Sequence, residues 1–273
     1  VASQHINMTL LVPTMVYALL DHPGLDKADL SSLELLLYGA APMAPNRVRE
    51  GLERFGPVFS QLYGQTEGYP LTLLRRCDHD LRRPELFASC GRAATGTVLR
   101  VLDDAGQPLP LGETGELCAR SPSVMQHYLN QPELTAETLK NGWLRTGDMA
   151  YADDRGYMYI VDRKKDMVVT GGFNVYPRDV EDVIASHPAV AQVAVIGVPD
   201  PKWGEAVTAM VVCKPGLSVS AEELMQLVKA RKGAVQAPKQ VEFVDRLPLT
   251  GVGKVDKKVL RSAYWAGQTR QVG

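Results

Sequence analysis

Two short apolar runs, each breaking into a turn of small or polar residues, constrain this chain most. Residues 33–37 read as a strand that ends in Tyr38-Gly39-Ala40-Ala41-Pro42, and residues 57–62 as a second strand leading into Tyr63-Gly64-Gln65-Thr66-Glu67. Between them, residues 45–55 place Val48, Leu52 and Phe55 on one helical face, with Gly56 as the stop. Upstream, residues 9–12 run through Pro13 into a helix over 15–20, with the proline in its first turn. Strands ending in such turns fit an open α/β sheet whose carboxyl ends hold a ligand.

The texture then changes. Residues 97–102, 115–119 and 157–161 are strand candidates separated by the turn sequences Asp103-Asp104-Ala105-Gly106 and Asp153-Asp154-Arg155-Gly156, with a short helix at 133–139. A small β-barrel or curled sheet is expected. Further on, 167–169 and 174–175 flank a Gly171-Gly172 hairpin turn. A helix over 178–186 and strands over 190–197, 206–213 and 241–244 follow. Ser220 caps a helix, with Glu223 completing a capping box, and 255–265 forms a closing helix. The expected fold class is α/β plus α+β: an open α/β subdomain over residues 1–95, a β-rich subdomain over 96–162 and a separate small α+β domain over 163–273.

Composition enters mainly by exclusion. With Lys+Arg 30 against Asp+Glu 31 the net charge is −1, so no field draws the chain to nucleic acid or an anionic membrane. No apolar run approaches the roughly 18 residues of a membrane span. Cys77, Cys90, Cys118 and Cys213 form no C-x-x-C pair and the five histidines are scattered, which argues against zinc and for reduced thiols in a cytoplasmic setting.

Four polar motifs carry candidate chemistry. In the turn Tyr63-Gly64-Gln65-Thr66-Glu67 the tyrosine face can stack on a purine, Gly64 lets backbone approach the base, the Thr66 hydroxyl can hold an α-phosphate, and Glu67 is a hard oxygen ligand suited to Mg2+. The same residues serve equally well as a surface turn with a helix cap. Arg145-Thr146-Gly147-Asp148 places a carboxylate after a tight turn, where it can take both hydroxyls of a ribose or simply close a hairpin. Asp162-Arg163-Lys164-Lys165-Asp166 is either a solvated linker or a hinge that reaches a nucleotide. Pro248-Leu249-Thr250-Gly251-Val252-Gly253-Lys254 is not a Walker A loop, since Pro248 stands at its first glycine and Val255 follows the lysine. A Gly-flanked lysine can instead deliver a point charge to a developing anion, or be an exposed loop lysine.

In this order and spacing the motifs resemble the adenylate-forming (AMP-binding) superfamily, and the resemblance runs over nearly the whole chain. Gly171-Gly172-Phe173-Asn174-Val175-Tyr176-Pro177 and Gly197-Val198-Pro199-Asp200-Pro201-Lys202-Trp203-Gly204-Glu205 look most like the fatty-acyl and aryl-CoA synthetase branch. The resemblance implies an AMP-forming ligase that uses ATP, Mg2+ and coenzyme A on a small fatty or aryl carboxylic acid. It implies that Gly39, Ala40 and Ala41 lie against adenine and the acyl group, that Gln61, Tyr63 and Gly64 meet the base, and that Thr66 meets phosphate. Glu67 would bind the metal, Asp148 and Arg163 the ribose, and Lys254 would serve adenylation. Lys165 would be the hinge of a mobile domain over 163–273, and Gly171, Gly172 and Trp203 would line the CoA tunnel.

Two departures temper this. The Thr/Ser/Gly-rich loop that grips pyrophosphate and the aromatic–histidine segment of the acyl pocket are absent, so the chain is expected to be the C-terminal part of a longer enzyme, with little synthetase activity in isolation. Val235-Gln236 stand where relatives carry an aromatic–lysine pair, which weakens detailed CoA assignments. A module that loads a carrier protein, or a truncated chain without catalysis, are the alternatives. Tyr38, Met43 and Tyr69-Pro70-Leu71 suggest an apolar acyl wall, or plain core.

Overall fold

Pro13, Pro45, Pro132 and Pro177 each open a helix, where a fixed φ and a missing N–H cost nothing: α1 (Pro13–Leu20), α2 (Pro45–Phe55), α3 (Pro132–Thr138) and α4 (Pro177–Ala185). The computed structural model describes residues 1–251 and 254–266 and divides into two units, Val1–Ile160 and Val161–Gly273.

The first unit holds two sheets. One runs in the order β1 (Met8–Leu11), β2 (Leu35–Gly39), β3 (Phe59–Gln65), β4 (Gly68–Leu74), β5 (Arg92–Ala93). The pairs β1–β2 and β2–β3 are parallel, and β3–β4 and β4–β5 antiparallel. Val48 and Leu52 of α2 pack with Val16, Leu36, Tyr38 and Phe59 into one buried cluster, as the helical stripe requires. The strand expected at 33–37 lies two residues later, because β2 must pair with both neighbours; Leu33 is buried ahead of it.

Tyr63, Gly64 and Gln65, expected in a turn, continue β3. Pairing of Tyr63 with Thr72 and of Gln65 with Gly68 extends the ladder, so that only Thr66 and Glu67 remain as a hairpin tip. Sequence reading missed β4 because the cross-strand partner, more than local propensity, decides such a strand.

Tyr38, the last large residue of β2, is wholly buried and bonded to His79 Nε2 at 2.9 Å. His79 Nδ1 lies 2.9 Å from the Arg75 carbonyl, which can only accept, so Nδ1 carries the proton and Nε2 accepts from the phenol. Burial holds the His79 pKa below its ordinary 6.5. An unfolded chain therefore binds a proton that the folded one refuses. This stabilisation is complete above 6.5 and is lost as pH falls from there toward the folded value. Urea melts of the native protein from about pH 7.5 down to about pH 5 should show falling stability, and His79→Gln should flatten that slope. An unchanged slope in the variant would refute the assignment.

The second sheet of this unit runs β10 (Met158–Arg163), β9 (Trp143–Ala152), β7 (Gly115–Arg120), β6 (Val98–Leu102), with β8 (Leu139–Lys140) paired to β9. Both Asp-x-x-Gly turns close as expected, with Gly106 N donating to Asp103 O and Gly156 N to Asp153 O.

The second unit has the sheet β12 (Phe173–Val175), β11 (Val168–Thr170), β14 (Gly204–Cys213), β13 (Val190–Asp200), with β15 (Gln240–Phe243) parallel to β14. Alternation along β13 and β14 feeds two buried clusters. Val195, Val207, Ala209 and Val211 join Val180, Ile184 and Leu224, whereas Ala194, Ile196, Ala206 and Met210 meet Leu260 and Tyr264. The helix α5 (Ala221–Lys232) starts at Ser220, whose side chain accepts from Glu223 N. The Glu223 carboxylate lies 3.2 Å from His187 Nε2. The closing helix is α6 (Lys257–Ser262), shorter than the expected 255–265.

Candidate functional site

The first unit gathers candidates at the carboxyl ends of β2 and β3. These strands are adjacent and parallel, with Gly39 opposite Leu62, so Gly39, Ala40 and Ala41 leave the sheet beside Gln61, Tyr63 and Gly64. A carbon added to Gly39 would stand 2.4 Å from the Leu62 carbonyl oxygen, so only glycine permits this approach. Ala40 adopts φ 66°, a left-handed conformation that costs an alanine about 1 kcal/mol, as is common at ligand-facing turns. Gln61 is buried. Thr66 is exposed at the hairpin tip.

Asp148 reaches this edge by a bulge. Across β7 and β9, Glu116 pairs with Met149 and Cys118 with Arg145, so Thr146, Gly147 and Asp148 oppose Leu117 alone. The expected tight turn is thus a bulge inside a ten-residue strand; Gly147 supplies its φ of 71°. Thr146 Oγ1 donates to Leu117 O at 2.7 Å and accepts from Asp148 N at 3.1 Å. Glu116 accepts from Gly147 N at 3.2 Å and pairs with Arg145 at 3.6 Å, both side chains largely buried. Thus aimed, Asp148 Oδ2 accepts from Tyr63 Oη at 2.7 Å. Burial first, then the Asp148 charge, hold the Tyr63 phenol far above its ordinary pKa, so it stays a donor. Its ring also packs against Leu71, Leu117 and Leu144.

Glu67 is held from a third direction. Its Oε1 accepts from Tyr128 Oη at 2.6 Å, and its carbonyl accepts from Met125 N at 2.7 Å. Burial and then Glu67 raise the Tyr128 pKa. No group of three or more His, Cys, Asp or Glu suited to a metal occurs among the described residues. A lone carboxylate suits Mg2+ that is held mainly by substrate phosphates and water, so Glu67 fits a phosphate-borne ion.

The second unit holds the other candidates. Arg163 ends β10, and Lys165 lies in the short turn Lys164–Asp166. Gly171 and Gly172 join β11 to β12, and Gly171 N donates to Trp203 O at 2.8 Å. The ammonium groups of Lys202 and Lys239 lie 4.7 and 5.7 Å from the centre of the half-exposed Trp203 ring. Thr170 Oγ1, next to Gly171, is buried without a hydrogen-bond partner in the structure. Lys254 closes a loop: Thr250 N donates to its carbonyl at 2.7 Å, and its own N–H donates to Thr250 Oγ1 at 3.2 Å. Val252 and Gly253 of that motif lie outside the described residues.

Tyr128 and Glu116 lie outside the four motifs, and Thr146, though inside one, had no role assigned to it. Of the first two, Glu116 carries a signal in the sequence, a carboxylate inside the otherwise apolar run 115–119. The suggested acyl wall is core at Tyr38, Met43 and Leu71, all buried in the clusters above or beside them, while Tyr69 is exposed.

The AMP-binding enzyme model matches residues 1–129, and the model of the AMP-binding enzyme C-terminal domain matches residues 179–254. The medium/long-chain-fatty-acid–CoA ligase FadD8 of Mycobacterium tuberculosis is 52% identical over 281 residues, covering 100% of this chain and 49% of its own. A feruloyl-CoA synthase of an Amycolatopsis species is 41% identical, over 97% of this chain and 53% of its own. The structure of the amide bond synthetase McbA of Marinactinospora thermotolerans superposes with a TM-score of 0.90 at 41% identity, over 96% of this chain and 54% of that one. The chain therefore spans about half the length of the curated relatives it matches.

Proposed function

The chain belongs to the AMP-binding, adenylate-forming enzyme family, and on that premise we propose that it serves an AMP-forming acyl-CoA synthetase acting on a fatty or aryl carboxylic acid. The observation that carries this reading is the 2.7 Å bond from Tyr63 to Asp148, which joins two motifs 85 residues apart at one sheet edge of the first unit.

In this reading Gly39, Ala40, Ala41, Gln61, Tyr63 and Gly64 frame the adenine, Thr66 takes the α-phosphate, and Asp148 and Arg163 hold the ribose. Glu67 would hold Mg2+, which when bound shields phosphate charge from the incoming anion. A carboxylate oxygen attacks the α-phosphorus, the bond to the β-phosphate breaks, and pyrophosphate leaves. Lys254 stabilises the charge that develops between them. A thiolate then attacks the acyl carbon, and AMP leaves with the bridging oxygen. Residues 163–273 would move about Lys165 between these steps, withdrawing Lys254 and bringing up Gly171 and Gly172. Trp203, with the cations of Lys202 and Lys239 over its ring, suits the nucleotide end of coenzyme A. Residues 96–162 would belong with 1–95 in the larger, static body. Cys77, Cys90, Cys118 and Cys213 stand as thiols rather than disulfides, which suits the reducing cytoplasm. Among the described residues no helix is long and apolar enough to cross a membrane.

Likeness to an amide bond synthetase keeps a second acceptor in view, an amine or the thiol of a carrier protein in place of coenzyme A. One assay decides. The intact protein is given ATP, Mg2+ and dodecanoate or ferulate, with and without coenzyme A. The proposal expects AMP and pyrophosphate in equal amounts, with AMP release dependent on coenzyme A. Release that ignores coenzyme A but needs an amine or a carrier protein would support the second acceptor. Formation of ADP would sink both.

A further inference from the structure

The helix α6 begins three residues after Lys254, spans only Lys257–Ser262, and contains no buried residue. Six residues are too few to hold a helix by backbone bonds alone. Leu260 and the following Tyr264 lend it some apolar packing. Two of its three basic side chains, Lys257 and Arg261, lie one turn apart and do something more specific. Lys257 Nζ lies 2.7 Å from Glu181 Oε1 on α4, with side-chain exposures of 16% and 19%. Arg261 Nη1 lies 2.6 Å from Asp166 Oδ1, with exposures of 14% and 12%.

Glu181 and the segment that carries Asp166 are held in turn. Glu181 Oε1 also accepts from Val195 N of β13 at 2.7 Å. Asp166 immediately follows Lys165, and Asp162 of the same segment accepts from Arg163 N at 2.7 Å and from Arg178 N at 2.8 Å. Burial works to lower the Lys257 pKa, but Glu181, Asp162 and Asp166 outweigh it and keep the ammonium charged. Ion pairs this sheltered add little net stability compared with apolar packing, yet separating either pair would strand a sheltered charge. At its other end the helix is tied back to the lysine loop. Asp256 caps α6 by accepting from Lys258 N and Val259 N, while its own N–H donates to Pro248 O at 2.8 Å.

We propose that Lys257 and Arg261 are positioning residues for Lys254, clamping α6 to Glu181 and Asp166 so that the lysine loop and the Lys165 segment move as one piece. The inference rests on the adenylation role given to Lys254 under the proposed function.

The two half-reactions separate this role from a structural one, because Lys254 serves only the first. In the intact protein, adenylate formation is followed by ATP–pyrophosphate exchange with dodecanoate or ferulate, whichever turns over faster. The second step is followed by AMP release from the supplied acyl-adenylate and coenzyme A. Lys257→Met and Arg261→Met should each slow exchange by about tenfold or more, the loss expected when a reacting group drifts by about an ångström, and leave the second step near native. Should Lys257→Met unfold by stranding Glu181, the double variant Lys257→Met with Glu181→Gln removes the charge and keeps the acceptor for Val195. It should show the same selective loss, and Lys257→Arg should recover most of the rate. Equal loss in both half-reactions, or native exchange in folded variants, overturns the proposal. Lys254→Ala run alongside tells the two readings apart: if it leaves exchange intact, the proposed role of Lys254 has failed, and if it alone abolishes exchange, only the clamp has.

Discussion

Asp148→Ala should weaken nucleotide binding by roughly a hundredfold. A carboxylate that takes two ribose hydroxyls contributes two charge-assisted hydrogen bonds, and losing both costs about 3 kcal/mol, or about two decades in Kd. The structure shows what turns this side chain toward the end of β3. Three residues of β9 oppose Leu117 alone, and Glu116 and Thr146 fix the resulting bulge, which turns Asp148 toward the end of β3. Isothermal titration of the intact protein with AMP reads the effect directly. Tyr63→Phe removes only the phenol that donates to Asp148 at 2.7 Å, so its loss should be close to that of one neutral donor, about tenfold or less. Native affinity in Asp148→Ala would show that the ribose is held elsewhere.

Gly39→Ala should strongly destabilise the first unit. The added carbon would meet the Leu62 carbonyl oxygen at 2.4 Å, and that atom belongs to backbone and cannot rotate away. The parallel pair β2–β3 must part locally, at a cost of about 3 kcal/mol. For a unit of this size that corresponds to a melting temperature lower by about 6–12 °C, accompanied by loss of AMP binding because Ala40 and Ala41 shift with the strand end. An unchanged melting temperature would refute the close approach of the two strands.

Local punctuation explains what could be read from the chain before its structure. Pro45 and Gly56 bracket α2 to the residue, and Ser220 marks the start of α5, because caps and stops act on their own neighbours. The two glycines of the β11–β12 turn were visible for the same reason. What stayed hidden depends on partners far along the chain. Tyr63 and Gln65 look like turn residues until β4 pairs with them. Arg145 to Asp148 look like a turn until β7 imposes the bulge. Tyr128 lies in a polar stretch without periodicity, and its bond to Glu67 spans 61 residues of sequence. The candidate residues of the first unit were therefore legible as types, while the side chains that aim them were not.

The path of oxygen tests the central claim most directly. The intact protein is supplied with ATP, Mg2+, coenzyme A and a dodecanoate or ferulate carboxylate labelled with heavy oxygen, and the nucleotide product is weighed. Attack at the α-phosphorus followed by thiolysis predicts that AMP carries one labelled oxygen and pyrophosphate none. Label in inorganic phosphate with ADP as the nucleotide product, or unlabelled AMP, would contradict the account.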